Sequence, residues 1–376
     1  MQKIEFFKHN LSQEDKEECL KVLDSVFLTT GASVKDFENK LAKYMEMPFA
    51  VGVTSCTAAL FLALKYLEVG EGDEVITSPM SFIASANSIE FCNAKPVFAD
   101  VNPQTGIIDA EAVEKAITKK TKAIMPVHLY GQMCDMKQLR SIADKNNLNI
   151  IEDACHNLEG RRDGYKSGQL GDLACYSFYA TKNLTSGEGG AITCHNKETA
   201  DWLAKARLHG MSKSAADRYT SNYQHYDMEF LGYKFNMSNI EAALLVHQLD
   251  RIEFYLQKKE RIAKMYDEGF LNNPFISKPD VLDNTKHARL LYTIWVNPSK
   301  RDEYLHKIQE KGIGVAVNFR AIHLMSYYKN KYGFKSSDFP NSEKIGDSTI
   351  TLPFYAALGD SEVEYVIEEV NEIVKS

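Results

Sequence analysis

"LACYSFYATKNLTSGEGGAITC", residues 173–194, sets two apolar runs on either side of one lysine and a bunch of glycines. The first run reads as a strand buried on both faces, and "GAITC" reads as another. Lys182 stands between them, at the end of a core strand, where an ammonium is costly to bury. Gly187, Gly189 and Gly190 follow closely, so the backbone beside the amine is cleared of side chains. Taken alone, Lys182 fits a side chain that snorkels from a strand end. Beside the glycines it also fits an amine kept for chemistry, because partial desolvation lowers a lysine's pKa. Ser177, just ahead of it, offers a small hydroxyl suited to a phosphate oxygen.

Five more runs of the same kind precede these two: "FAVGV", "DEVIT", "KPVFAD", "KAIMPVH" and "LNIIED". Each is strand-length and nearly continuous in apolar residues. Helical patterns such as "TAALFLALKYLE" and "MKQLRSIADKNN" lie between them. This alternation predicts an α/β domain with a mostly parallel seven-stranded sheet. A long helical stretch over 239–268 looks like a connector. Beyond it "LYTIWVNP" and "VEYVIEEVNEIV" suggest a smaller α+β domain, giving domains at 1–248 and 249–376. The polar stretch 211–228 is the candidate for a mobile loop.

Composition narrows the function classes. The 376 residues are 44% apolar and 25% charged, with a net charge of −7, and no basic stripe marks a nucleic-acid partner. "MQKIEFFKHN" holds no apolar segment of signal-peptide length, and no run approaches the length of a membrane span. The seven cysteines are scattered without CxxC pairs, which fits reduced thiols of a cytoplasmic protein and argues against a metal site.

Ligands of open α/β sheets bind beyond the carboxyl ends of the strands, so residues at those ends carry the functional reading. Asp153 ends "NIIED"; it is either a helix cap or a carboxylate facing the cationic ring nitrogen of a cofactor. Ser55 and Cys56 open the apolar helix after "AVGV". Ser55 serves there as a cap or as part of an anion site at the helix N-terminus. Neither GxGxxG nor GxxxxGK[ST] is present at that turn, so one compact phosphate fits better than a dinucleotide. Phe82 in "TSPMSFIASAN" is a core ring or a stacking ring.

Together these motifs resemble the DegT/StrS-type sugar-nucleotide aminotransferases. The similarity runs from "LTTGASVKDFENKLAKYM" through "IIEDACHNLEG", "YSFYATKNLTSGEGGAIT" and "LGYKFNMSNIEAALLVHQL" to "GIGVAVNFRAIH". It implies the pyridoxal phosphate (PLP)-dependent transferase fold, like that of aspartate aminotransferase. Lys182 is then the Schiff-base lysine and proton shuttle, and Asp153 is the partner of the pyridinium. His156, where most relatives carry glutamine, would lie beside the cofactor ring. Ser55, Cys56 and Ser177 match phosphate-contacting positions, and Phe82 matches the stacking ring. Thr30, Glu188 and His323 match substrate-binding positions.

The resemblance also implies a homodimer with shared active sites, in which Lys234 contacts the partner's cofactor phosphate. In the block Gly232–Asn236, Lys234 replaces the family's usual asparagine and Asn236 its arginine. That departure resembles the branch that aminates UDP-4-keto-pentoses. The implied reaction is ping-pong: L-glutamate donates its amine to give pyridoxamine phosphate (PMP), which aminates a nucleotide-linked keto sugar for surface-glycan or lipopolysaccharide synthesis. A UDP-4-keto sugar is the favoured acceptor, with a dTDP-3-keto-6-deoxyhexose as the alternative. Some relatives with a histidine in place of the lysine are dehydratases, and Lys182 speaks against that branch. A non-catalytic regulator that binds PLP or a sugar nucleotide is the competing reading from another class.

Overall fold

The computed structural model describes residues 3–212 and 225–375. Residues 213–224, inside the polar stretch expected as a mobile loop, lie outside the described residues.

All seven apolar runs form strands: β1 (Phe49–Val53), β2 (Glu74–Thr77), β3 (Lys95–Phe98), β4 (Thr121–Met125), β5 (Asn149–Asp153), β8 (Leu173–Ser177) and β9 (Gly190–Cys194). Between β5 and β8 two short strands, β6 (Arg161–Arg162) and β7 (Tyr165–Lys166), pair with β10 (Thr285–Lys286) as a separate ribbon. The main sheet runs β1-β9-β8-β5-β4-β2-β3. The pairs from β8 to β3 are parallel, whereas β9 is antiparallel to both β8 and β1. Six strands therefore share one direction, and β9 alone runs against them. Its first residue, Gly190, reaches the edge at which its neighbours end.

Helices cover the sheet because these strands are apolar on both faces. One core cluster gathers Val53, Leu60, Leu64, Ile151, Cys175 and Ile192 under the helix Cys56–Tyr66. Another gathers Phe37, Tyr176, Phe178 and Leu245 on the opposite side. The expected connector is helical, but it is two helices, Asn239–Val246 and Gln248–Phe270, which meet at His247. At that joint the buried Gln248 turns its amide to Thr185, accepting from its N–H at 3.1 Å and donating to its carbonyl at 2.7 Å.

A separate core lies beyond the sheet. The antiparallel pair β11 (Tyr292–Trp295) and β12 (Thr349–Leu352) packs there with the helices Arg301–Glu310 and Asp360–Ile373. Ile4 packs into this core from the other end of the chain, held by Ile4 N–H to the Gly312 carbonyl at 2.9 Å. Among the described residues no helix is long and apolar enough to cross a membrane, and no cluster of His, Cys, Asp or Glu is placed to hold a metal ion.

The sheet edge is closed by one backbone contact. A Cβ on Gly190 would stand 2.4 Å from the Ser55 carbonyl carbon and 2.6 Å from the Cys56 nitrogen. These are backbone atoms and cannot rotate aside. Gly190→Ala should therefore lower stability by about 1–3 kcal/mol, the usual cost of overpacking. Chemical denaturation of parent and variant checks this; an unchanged midpoint would show that the helix start is free to shift.

Candidate active site

A cleft of about 490 Å³ opens at the carboxyl edge of the sheet. It is lined by residues from four strand ends or the turns after them, Ser55 and Cys56 after β1, Phe82 after β2, Asp153 and His156 at β5 and Ser177 at β8, and by Glu188 just before β9 starts. Lys182 lines it too, from the loop between β8 and β9. Eight residues singled out in the sequence thus converge on one cavity.

Asp153 is 2% exposed, so its carboxylate needs donors. Ser85 Oγ supplies one to Oδ2 at 2.7 Å, and Cys155 N–H another to Oδ1 at 3.2 Å. Ser81 Oγ lies 2.8 Å from Ser85 Oγ and completes the chain of hydroxyls. The Ser55 side chain caps the helix Cys56–Tyr66 by accepting from Ala58 N–H at 3.1 Å. The first-turn N–H groups of such a helix have no internal partners, and here Cys56 and Thr57 line the cleft. The start of this helix is a place for an anion.

His156 is buried beside Phe319, their rings stacked with centroids 5.8 Å apart. Its Nδ1 accepts the Tyr130 N–H at 3.2 Å, which leaves the other ring nitrogen as donor. Burial, with the Lys182 charge adding to it, holds the imidazole well below its ordinary pKa. It is a neutral hydrogen-bonding group. Phe82 is 55% exposed, a large share for a phenyl ring, and is flanked by Phe319 at 6.1 Å.

Three expected site residues lie outside the lining of this cleft. Lys234 is exposed and bonds to Asn236 Oδ1. Asn236 in turn donates to Thr30 Oγ1 at 3.0 Å, so Lys234 and Thr30 belong to one neighbouring cluster. His323 is fully buried, with Nε2 at 3.0 Å from Glu343 Oε1. Conversely, sequence reasoning missed Ser85, Phe319 and Phe6, all of which line the cleft. Ser85 sits in the quoted "SFIASAN", three positions after Phe82, and the helical spacing was a usable signal. Nothing local marks Phe6 or Phe319.

Known proteins resemble this chain in architecture and in sequence. Residues 9–371 match the DegT/DnrJ/EryC1/StrS aminotransferase family. The spore coat polysaccharide biosynthesis protein SpsC of Bacillus subtilis is 41% identical over 371 residues, covering 97% of this chain and 95% of that protein. GDP-perosamine synthase of Caulobacter vibrioides is 33% identical over 97% of this chain and 96% of its own. Among solved structures, Spr1654 of Streptococcus pneumoniae, assigned as a sugar aminotransferase and solved in a PMP form, superposes with a TM-score of 0.94 at 32% identity, covering 99% of both chains. The match over nearly the whole length, joined to an identity of 41% with one relative, establishes that this chain belongs to the DegT/DnrJ/EryC1/StrS aminotransferase family.

Proposed function

We propose that this PLP-dependent sugar aminotransferase uses the cleft at the sheet edge to pass the amino group of L-glutamate to a nucleotide-linked keto sugar, with C4 of a UDP-linked 4-keto sugar as the favoured acceptor. The observation that carries this reading is the convergence of Lys182, Asp153 and the helix start at Ser55–Cys56 on one cavity.

The residues present fit the cofactor. The open first turn at Cys56 and Thr57, with the Ser55 and Ser177 hydroxyls, suits its phosphate. The bare face of Phe82 suits a planar ring. The buried Asp153 carboxylate, already fixed by Ser85 and Cys155, suits a protonated ring nitrogen. Bound there, PLP supplies an electron sink that lets a proton leave the carbon bearing the amine.

The protein's own share is positional and acid–base. With the cofactor bound, Lys182 Nζ would hold the proton that leaves the carbon bearing the amine and give it back once the amine has moved. Asp153 keeps the sink effective by balancing its positive charge. His156 is neutral and aligned by Tyr130 and Phe319, so it donates a hydrogen bond without adding charge. Glu188, exposed at the mouth, is available to a polar sugar. The choice of a 4-keto UDP sugar rests on the Gly232–Asn236 block and is tested by incubating the PMP-loaded protein with UDP-, GDP- and dTDP-linked keto sugars. Amination of a dTDP-linked 3-keto sugar alone would overturn that choice.

Lys182→Ala should bind PLP without the visible band of a lysine-linked chromophore, and turnover should be lost. A spectrum and a glutamate assay check both; normal turnover would remove Lys182 from the mechanism.

Asp153→Asn should still bind PLP, because the phosphate and ring contacts remain. An amide cannot balance a pyridinium, so we expect a rate loss of at least about a hundredfold, or roughly 2.7 kcal/mol of barrier. Steady-state kinetics decide: a variant within about threefold of the parent would make Asp153 a structural acid.

Lys234, outside its own chain's cleft, is proposed to complete the cleft of a second copy in a homodimer. Lys182→Ala and Lys234→Glu, each inactive, should regain activity when subunits are exchanged, since one of the two sites in a mixed dimer is then intact. The gain is at most about half of the parent per mixed dimer. Full activity of Lys234→Glu alone, or of a monomer, counts against a shared site.

A further inference from the structure

The loop that carries Lys182 is gripped on one side by a single helix. Thr185 exchanges two hydrogen bonds with Gln248, the first residue of the helix Gln248–Phe270. Asn183, next to Lys182, accepts from Lys259 Nζ at 2.7 Å. From 248 to 259 is eleven residues, close to three turns at about 3.6 residues each, so both side chains leave one face of the helix.

Lys259 is 3% exposed, so its ammonium needs partners within the protein. Besides Asn183 Oδ1, its ammonium donates to the Leu290 carbonyl at 3.1 Å and stands 4.6 Å from the centre of the Phe354 ring. Leu290 lines the cleft. The Asn183 amide donates at 2.8 Å to both Glu159 Oε1 and the Ala288 carbonyl. Asn183 therefore joins the loop after β5, the segment before β11 and the long helix at one point.

Burial pulls the Lys259 amine down to about 7, against the pull of the Glu159 charge. Burial likewise pushes the Glu159 carboxyl up to about 7, against Lys259. A buried pair of this kind is a weak source of stability, and apolar side chains of similar volume often serve as well or better. A methionine at 259 would still pack on Phe354. It could not hold Asn183 Oδ1 and the Leu290 carbonyl together.

We propose that Lys259 is a positioning residue for Lys182: its buried ammonium pins Asn183 and the cleft wall at Leu290 to one helix, and so fixes where the Lys182 amine stands. This rests on the reading of Lys182 as the cofactor-linked amine. Small displacements are enough to matter, since about 1 Å of misplacement can cost around a hundredfold in rate.

The test uses full-length protein freed of cofactor and mixed with PLP, following the growth of the visible band, together with steady-state turnover of glutamate. Lys259→Met should slow band growth by about tenfold or more and lower kcat similarly, with the glutamate KM within about twofold; its thermal stability should fall, because Glu159 is left buried without its partner, whereas Glu159→Gln/Lys259→Met should show the same rate losses at a thermal stability near the parent's. Asn183→Ala should act in the same direction. Lys258→Met, which alters the exposed neighbour, should leave both rates at parent values. If Lys259→Met fails to fold, Glu159→Gln/Lys259→Met removes both buried charges and is read instead. If neither folds, Asn183→Ala decides, since it cuts the same link from the loop side and leaves both charged residues in place. Folded variants with the parent's band growth and kcat overturn the proposal. A parent that forms no lysine-linked band overturns the underlying reading of Lys182, whereas a normal parent band with unaffected variants overturns only the role of Lys259.

Discussion

Two neighbouring acids end β5, and the pleat sends them to opposite faces of the sheet. Both are buried, Glu152 at 0% and Asp153 at 2% exposure. A buried carboxylate is tolerable only where donors reach it. Glu152 receives Nε2–H of the buried His128 at 2.7 Å and the Gly171 N–H at 2.7 Å. His128 is oriented for this because its Nδ1 accepts the Cys134 N–H. A Cβ on Gly171 would stand 2.6 Å from Glu152 Oε1, so the close approach requires glycine there. The turns after β4 and before β8 are thereby fixed against β5. With that edge rigid, Asp153 on the other face has a definite address, and the cleft is built around it.

The loop after β8 uses the same logic with backbone rather than carboxylates. Phe178 N–H bonds to the Gly189 carbonyl at 2.9 Å, and Ser186 N–H returns to the Phe178 carbonyl at 3.0 Å. The chain between them is a closed loop with Lys182 on it. Gly187 adopts a φ of 85°, which a side chain would resist, and Gly190 lets the following strand touch the helix start at Ser55. The glycines beside the lysine thus solve two different problems, a left-handed turn and a backbone contact. Room for a planar ligand follows from both.

The layered sheet was legible because its strands are buried on both faces, and continuous apolar runs need no partner to be recognised. The cleft was legible where motif residues sit at strand ends, as Asp153, Ser177 and Ser55 do. Long-range packing was not. Phe6 reaches the cleft because the N-terminal segment pairs Ile4 with Ile313, and a Cβ on Gly314 would stand 2.5 Å from the Phe6 nitrogen. No local pattern encodes a contact across that sequence distance. The break at His247 was hidden for a similar reason: the helical periodicity continues through it, while the Gln248–Thr185 bonds mark the joint from outside. His323 lies outside the lining of the cleft, buried with Nε2 against Glu343 and with Nδ1 left without a partner among the described residues.

Charge sets the remaining constraint on the substrate. Among the described residues lining the cleft, the lysine and arginine side chains reduce to Lys182, against the carboxylates of Asp153 and Glu188. If Lys182 and Asp153 are committed to the cofactor, Glu188 is left facing an acceptor whose diphosphate is negative. Like charges at such distances repel, and a cleft of this sign would slow the approach of a nucleotide sugar. Cations must therefore come from outside the lining. Lys234 is exposed, and Asn236 and Thr30 hold it in a small polar cluster rather than leaving it to sweep solvent. In the proposed homodimer, Lys234 would bring a positive charge to the cofactor phosphate of the second copy's cleft, a charge the cleft's own lining does not offer there. The charge of the lining is in keeping with the proposed homodimer, in which a second copy would complete the site.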